Sequence, residues 1–167
     1  MNLFSKSLCL FLGLVSLCLA GCSAYQWGGP KPAFRSIEIA TVKNSTSRPG
    51  THAVLQQKLI EFFAADPRIK IGLGDAKLET EIVEYTRAGQ TTSSTDSYTY
   101  TSFRITIKVQ CTLTTNQGKK VLFKDRPFTA SATLQPIGDS ASEERSLAPT
   151  LFADIVSQIR QASTTAW

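Results

Sequence analysis

The sequence predicts an α+β fold: a two-layer sandwich of β-α-β-β-β-α order, with two helices packed on a mixed sheet of about four strands. Three observations predict it. Phe103, Ile105, Ile107, Val109, Cys111 and Leu113 alternate with Arg104, Thr106, Lys108, Gln110 and Thr112, the period of two of a half-buried antiparallel strand. Leu55, Leu59, Phe62 and Phe63 follow helical spacing within 51–65 and make one apolar stripe. Leu147, Leu151, Phe152, Ile155, Val156 and Ile159 form a second stripe within 142–162.

The remaining elements follow in chain order. Residues 34–42 (FRSIEIATV) read as a short strand with Ile37 and Ile39 on one face, and 44–50 (NSTSRPG) as a loop of turn formers. Asp66-Pro67 ends the first helix, because the residue before proline is pushed out of helical geometry. A brief extended piece at 69–71 precedes the turn Gly72-Leu73-Gly74-Asp75. Residues 78–87 (LETEIVEYTR) read as a second main strand, and 89–102 as a loop or the long tip of a hairpin. Asn116-Gln117-Gly118 turns the long strand back. In the returning strand the apolar phase slips across Asp125-Arg126-Pro127. Proline cannot donate to the ladder, so a bulge or an edge position is expected there. Pro149 either marks the first turn of the last helix or kinks a helix begun at Glu143.

The N-terminus carries a processing signal. Lys6 gives a positive n-region, and 8–19 is an apolar run too short for a membrane span of about 20 residues. Leu19-Ala20-Gly21-Cys22 matches the bacterial lipobox, in which the cysteine thiol receives diacylglycerol before cleavage and the freed amine is acylated in turn. The competing reading is an ordinary secretory signal with a chance cysteine at the cut. The domains expected are a lipoprotein signal peptide at 1–21, a lipidated Gly/Pro-rich tether at 22–33, and a single domain at 34–167. Two or three acyl chains anchor a protein stably where one does not. Ser23 stands where an inner-membrane retention signal would have Asp; by analogy with enteric bacteria this favours the periplasmic face of the outer membrane.

Removing 1–21 leaves 146 of the 167 residues and takes the formal charge from +5 to +4. That is enough chain for one core, and a balance compatible with a phosphorylated glycolipid. No nucleic-acid partner is expected. Cys9 and Cys18 leave with the signal and Cys22 is lipidated, so Cys111 has no partner for an intramolecular disulfide and reads as a buried, inert thiol.

The residues give little chemistry. The sole histidine, His52, has no Gly-x-Ser-x-Gly elbow to serve, and no ligand spacing for a metal exists. Glu79, Glu81 and Glu84 read as a solvated strand face and not as a glycosidase pair. Gly72-x-Gly74 lacks the third glycine of a phosphate cradle. No catalytic residue, cofactor or metal is expected. Basic residues are the candidates for binding. Arg104 and Lys108 share the polar face of the long strand; Lys119, Lys120, Lys124 and Arg126 cluster around the next turn and strand; Arg87 closes the preceding strand. Together they make a cationic patch able to pair with phosphates. The alternative is a solvated face whose charges discourage edge pairing.

Several stretches together resemble the LptE family of lipopolysaccharide-assembly lipoproteins. They are the lipobox with an early aromatic (CSAYQW), the strand and loop IEIATVKNSTSRPG, a helix of the LQQKLIEFF type, the string DAKLETEIVEY, the long alternating strand and the amphipathic C-terminal helix. The resemblance implies a non-catalytic protein that plugs the lumen of the outer-membrane β-barrel LptD, helps it assemble, and supports lipopolysaccharide delivery to the outer leaflet. Cationic groups would then receive lipid A phosphates. The family is thought to meet lipopolysaccharide through basic residues near the tip of this hairpin. Here 89–102 holds no Lys or Arg, only Asp96, so the Thr/Ser/Tyr tip is expected to hydrogen-bond to barrel wall or sugar. The rival reading is an envelope lipoprotein that regulates peptidoglycan synthesis or forms part of a secretion channel.

Overall fold

A computed structural model describes residues 33–92, 95, 100–116, 118–135 and 140–165. The signal peptide, Cys22, the tether as far as Pro32, and Tyr98-Thr99 lie outside the described residues. The elements are β1 (Ser36–Ile39), β2 (Lys43–Asn44), α1 (Thr51–Ala64), β3 (Lys70–Ile71), β4 (Ala76–Thr92), β5 (Tyr100–Thr115), β6 (Lys120–Leu134) and α2 (Ser140–Thr165). The sheet runs β3-β1-β4-β5-β6, and β2 also pairs with β4. β1 is parallel to β3 and β4, and β2 to β4, while β4-β5 and β5-β6 are antiparallel. The sheet is therefore mixed and the class is α+β.

The sheet has six strands where the sequence led us to expect about four. β2 and β3 are two residues each, too short to carry a period. The 34–42 stretch is also not one strand. Its chain pairs with β4 at Ile39↔Leu78 and again at Lys43↔Glu81, with a break between.

The core lies between the helices and one face of the sheet. α1 buries Leu55, Leu59 and Phe63, and α2 buries Leu151, Phe152, Ile155, Val156 and Ile159. They meet Leu78 and Ile82 of β4, Ile105, Ile107, Val109, Cys111 and Leu113 of β5, and Phe123 and Phe128 of β6. Each fully buried aliphatic or Phe side chain contributes about 1.5–3 kcal/mol. α1 ends at Ala64, just before Asp66-Pro67 as its sequence requires. Pro149 lies inside α2 and not at its first turn. It withholds the N–H that the Arg145 carbonyl would otherwise accept.

Of the five register shifts in the β4-β5-β6 ladders, two reverse the facing of Arg87 on β4 and Phe128 on β6. On β4, Ile82 pairs with Val109 and Glu84 with Lys108, so Val83 is an extra residue. On β6, Arg126 pairs with Cys111 and Phe123 with Leu113, so two residues answer one. Asp125 takes φ 48 there, and its N–H donates to Thr112 Oγ1 at 3.0 Å. That is the bulge the phase slip at 125–127 called for, and Pro127 stands on the edge strand. Among the described residues no helix is long and apolar enough to cross a membrane.

Candidate functional site

The helices cover one face of the sheet, and the opposite face is polar from end to end. On β5 it presents Arg104, Thr106, Lys108, Gln110, Thr112 and Thr114, each the neighbour of a buried residue in a period of two. Across the register Thr106 lies between Thr86 and Ser131, and Lys108 between Glu84 and Thr129. Arg104 lies between Ala88 and Thr133. The Gln90 amide turns its oxygen to the Arg104 guanidinium, which donates at 2.9 and 3.1 Å, and donates its own N–H to Thr133 Oγ1 at 3.0 Å. No ion pair ties Arg104 or Lys108 to a carboxylate among the described residues. Glu79 pairs with Lys77 at 2.8 Å and Glu81 accepts from the Ser45 hydroxyl, so these carboxylates are held by local partners.

Arg87 stands on the other side. The extra residue Val83 reverses the alternation of β4, so Tyr85 and Arg87 point to the helix face although they share odd parity with the outward Glu79 and Glu81. There Arg87 lies over the Phe103 ring, 3.9 Å from its centroid, and donates to Glu144 of α2 at 3.3 Å. Glu144 is buried and also accepts from Arg48 at 3.0 Å. Asn44 holds that arginine's loop: its Oδ1 accepts from the Thr46 N–H at 3.0 Å and the Thr46 hydroxyl at 2.7 Å, while its Nδ2 donates to the Arg48 carbonyl at 2.8 Å. Arg48 also lies 5.3 Å from the Tyr85 ring centroid. Burial, then the hydrogen bond to Glu144, pushes the Tyr85 phenol up to about 12. Next to this cluster a cleft of about 470 Å³ opens between Val54 of α1 and Ala148 and Phe152 of α2.

The remaining basic residues fall in two further places. Lys119 and Lys120 flank the β5-β6 turn, at the end of the sheet away from Arg104. Lys124 is exposed in the β6 bulge. Arg126 lies 5.9 and 5.5 Å from the rings of Phe123 and Phe128, on the helix face. The seven basic residues singled out in the sequence are thus dispersed, and only Arg104 and Lys108 share the uncovered face. Arg48, Glu144 and Tyr85 form a cluster that no local sequence signal announces, because its members come from three distant segments. The nearest local signal was the turn-forming NSTSRPG string that holds Arg48.

Groups suited to covalent chemistry are few. His52 is exposed on α1. Cys111 is buried with its thiol 3.8 Å from Thr80 Oγ1, and burial pushes it up to about 12. No cluster of three or more metal-ligating side chains occurs among the described residues. What the uncovered face offers is hydrogen-bonding hydroxyls, the amides of Gln90 and Gln110, carboxylates and Lys77 along β4, and the cations Arg104 and Lys108 on β5. Such a set suits binding of a phosphate or sugar surface.

Comparison with known proteins gives a family match and a set of shared folds. The model of the LptE lipopolysaccharide-assembly family matches residues 34–163. No curated protein matches the sequence significantly. A minor lipoprotein from Acinetobacter baumannii shares the fold with a TM-score of 0.53 at 18% identity, covering 77% of this chain and 92% of that one. An uncharacterized lipoprotein B from Nitrosomonas europaea gives a TM-score of 0.57 at 16% identity, covering 84% and 90%. A hypothetical protein from Chlamydia trachomatis gives 0.57 at 9% identity, covering 79% and 98%. At these identities the likeness speaks for the fold alone.

Proposed function

The chain belongs to the LptE family of lipopolysaccharide-assembly lipoproteins, and from that membership we propose that it sits as a plug in the lumen of an LptD-like outer-membrane β-barrel. It is anchored there through lipid on Cys22, at the periplasmic face of the outer membrane. In this role it helps the barrel assemble and supports lipopolysaccharide delivery to the outer leaflet. The role asks for shape and polarity and for no bond to be made or broken.

The observation that carries the reading is the uncovered sheet face. A lone domain with one sheet face left polar and bare is suited to lie inside a wetter partner, such as the polar interior of an outer-membrane barrel. Arg104, held by the Gln90 amide, and Lys108, cross-strand from Glu84 with no close ion pair among the described residues, then become the groups placed to meet lipid A phosphates. Arg87 has a structural task with Glu144. The hydroxyls around Arg104, Thr133 among them, suit sugar or barrel-wall hydrogen bonds.

Affinity purification of the full-length protein from detergent-solubilised envelopes tests this. The expected result is co-recovery of a large β-barrel protein. Recovery of a penicillin-binding protein or a secretion-channel component, with no barrel, would overturn it and favour a role in wall synthesis or secretion.

A further inference from the structure

One end of the sheet is unlike the rest of the surface. Ile71, Ile37, Ala76, Thr115 and Lys120 form one row across five strands in register. Just beyond that row lie the 72–75 loop, the start of β1 and the β5-β6 turn. Of the five exposed large hydrophobic side chains among the described residues, Ile71, Leu73 and Val121 stand at this end. Leu73 is 90% exposed, an extreme for a leucine on a well-ordered domain.

The backbone holds Leu73 out. Gly72 takes φ +148, a conformation other residues rarely adopt, and its N–H donates to the Ile37 carbonyl at 3.0 Å. A Cβ on Gly74 would lie 2.0 Å from the Ser36 hydroxyl oxygen, so the loop can cross β1 only as glycine. The Asp75 N–H donates to that same hydroxyl at 2.9 Å. Leu73 is therefore presented on a tight loop pinned to β1 at both sides.

Cations surround it. Arg35, Lys70, Lys77, Lys119 and Lys120 are exposed at this end, against the exposed carboxylates of Asp75 and Glu79, the latter paired with Lys77, and the half-buried Glu38. The 72–75 loop and the β5-β6 turn flank one cleft, lined by Leu73 on one side and Gly118 on the other. The chain also enters the domain here, since β1 begins at Ser36. The stretch from Cys22 to Ala33 is 12 residues and can reach at most about 40 Å. The 17 residues of β4 extend about 55 Å away from this end. Lipid on Cys22 thus keeps this end of the sheet within about 40 Å of its bilayer.

We propose that the end of the sheet carrying Leu73, Ile71 and Val121 among Lys70, Lys119 and Lys120 is a membrane-contact surface that takes anionic phospholipid. Leucine enters the acyl boundary while the lysines meet headgroup phosphates. The contact is weak alone and suffices because the anchor raises its effective concentration. The proposal rests on the reading of Cys22 as lipidated, and it does not depend on the barrel partner.

The test uses the full-length lipidated protein in vesicles of phosphatidylethanolamine and phosphatidylglycerol. Leu73→Cys and Thr91→Cys are each labelled with an environment-sensitive fluorophore, Cys111 being buried. Quenching by nitroxide lipids at residue 73 is expected to exceed that at residue 91 by about twofold or more. Lys119→Glu with Lys120→Glu should bring it down towards the value at 91, with the protein still retained on the vesicles. Equal quenching at the two positions would overturn the proposal. So would shielding of residue 73 that requires added barrel protein, which would mark a protein rim instead. Mass spectrometry of the same preparation reads acylation separately, and an unacylated Cys22 overturns the anchor and the proposal together.

Discussion

The Arg48 guanidinium meets the buried Glu144 carboxylate at 3.0 Å, tying the loop before α1 to the first turns of α2. Arg87 reaches the same carboxylate from β4 at 3.3 Å, so three segments converge on one group. Glu144→Ala should destabilise the domain by about 2–3 kcal/mol, below the full cost of breaking a buried pair because Arg48 is half exposed. The denaturation midpoint in urea measures this, and an unchanged midpoint would contradict it. A Glu144→Asp variant should recover part of the loss.

Arg104 and Lys108 should set affinity for phosphorylated glycolipid. Arg104→Glu with Lys108→Glu is expected to weaken lipopolysaccharide binding in vitro by about tenfold or more, with the gap narrowing as salt rises. Lys58→Glu, on α1 across the core from that face, should leave that affinity unchanged. If the double substitution has no effect across several salt concentrations, these charges are a solvated face.

Asp66 gives the domain an acid limit. Hydrogen bonds from Arg68 hold its carboxyl at about 2, below the ordinary carboxylate value. A depressed folded-state value means that the stabilisation is complete above about pH 4 and is lost as pH falls through about 2. Asp66→Asn should therefore lower stability at neutral pH by about 1 kcal/mol, since Arg68 is solvent-screened. The two proteins should converge near pH 2. Thermal melts across that window read the difference directly.

Cys111 should be chemically silent in the folded protein. Its thiol is buried and raised to about 12, so the thiolate that alkylating reagents need is scarce at neutral pH. Labelling should appear only with denaturant and should track unfolding. Rapid modification under native conditions would show that the β5 core opens locally.

Cys22→Ser should block acylation and leave the uncleaved precursor at the inner membrane. Membrane fractionation with mass spectrometry measures both outcomes, and normal outer-membrane recovery of this variant would rule out the lipobox reading.

Most of the fold was legible because its signals are local. The period-two run of β5 and the stripes of both helices depend on neighbours a few residues apart. The slip at 125–127 announced its bulge because Phe123 and Phe128 face the same core although one position is odd and the other even. Of the small parallel strands, Lys70–Ile71 was legible only as the brief extended piece at 69–71 and Lys43–Asn44 not at all, since their pairing comes from β1 and β4. Nor was the side of Arg87. Parity along 79, 81 and 87 places it with Arg104, and only the extra Val83, visible in the register and not in the sequence, turns it to Glu144. One inserted residue thus decided which cations can share a surface.

The uncovered face of the sheet is made largely of short hydroxylated side chains, among them Thr86, Thr106, Thr129, Ser131 and Thr133. Covering such a face removes little apolar surface from water. Docking there should therefore carry only a small negative heat-capacity change, with water-bridged hydrogen bonds supplying the enthalpy. Its affinity would follow a nearly straight van't Hoff line across growth temperatures, where an oily interface of the same area would bend it.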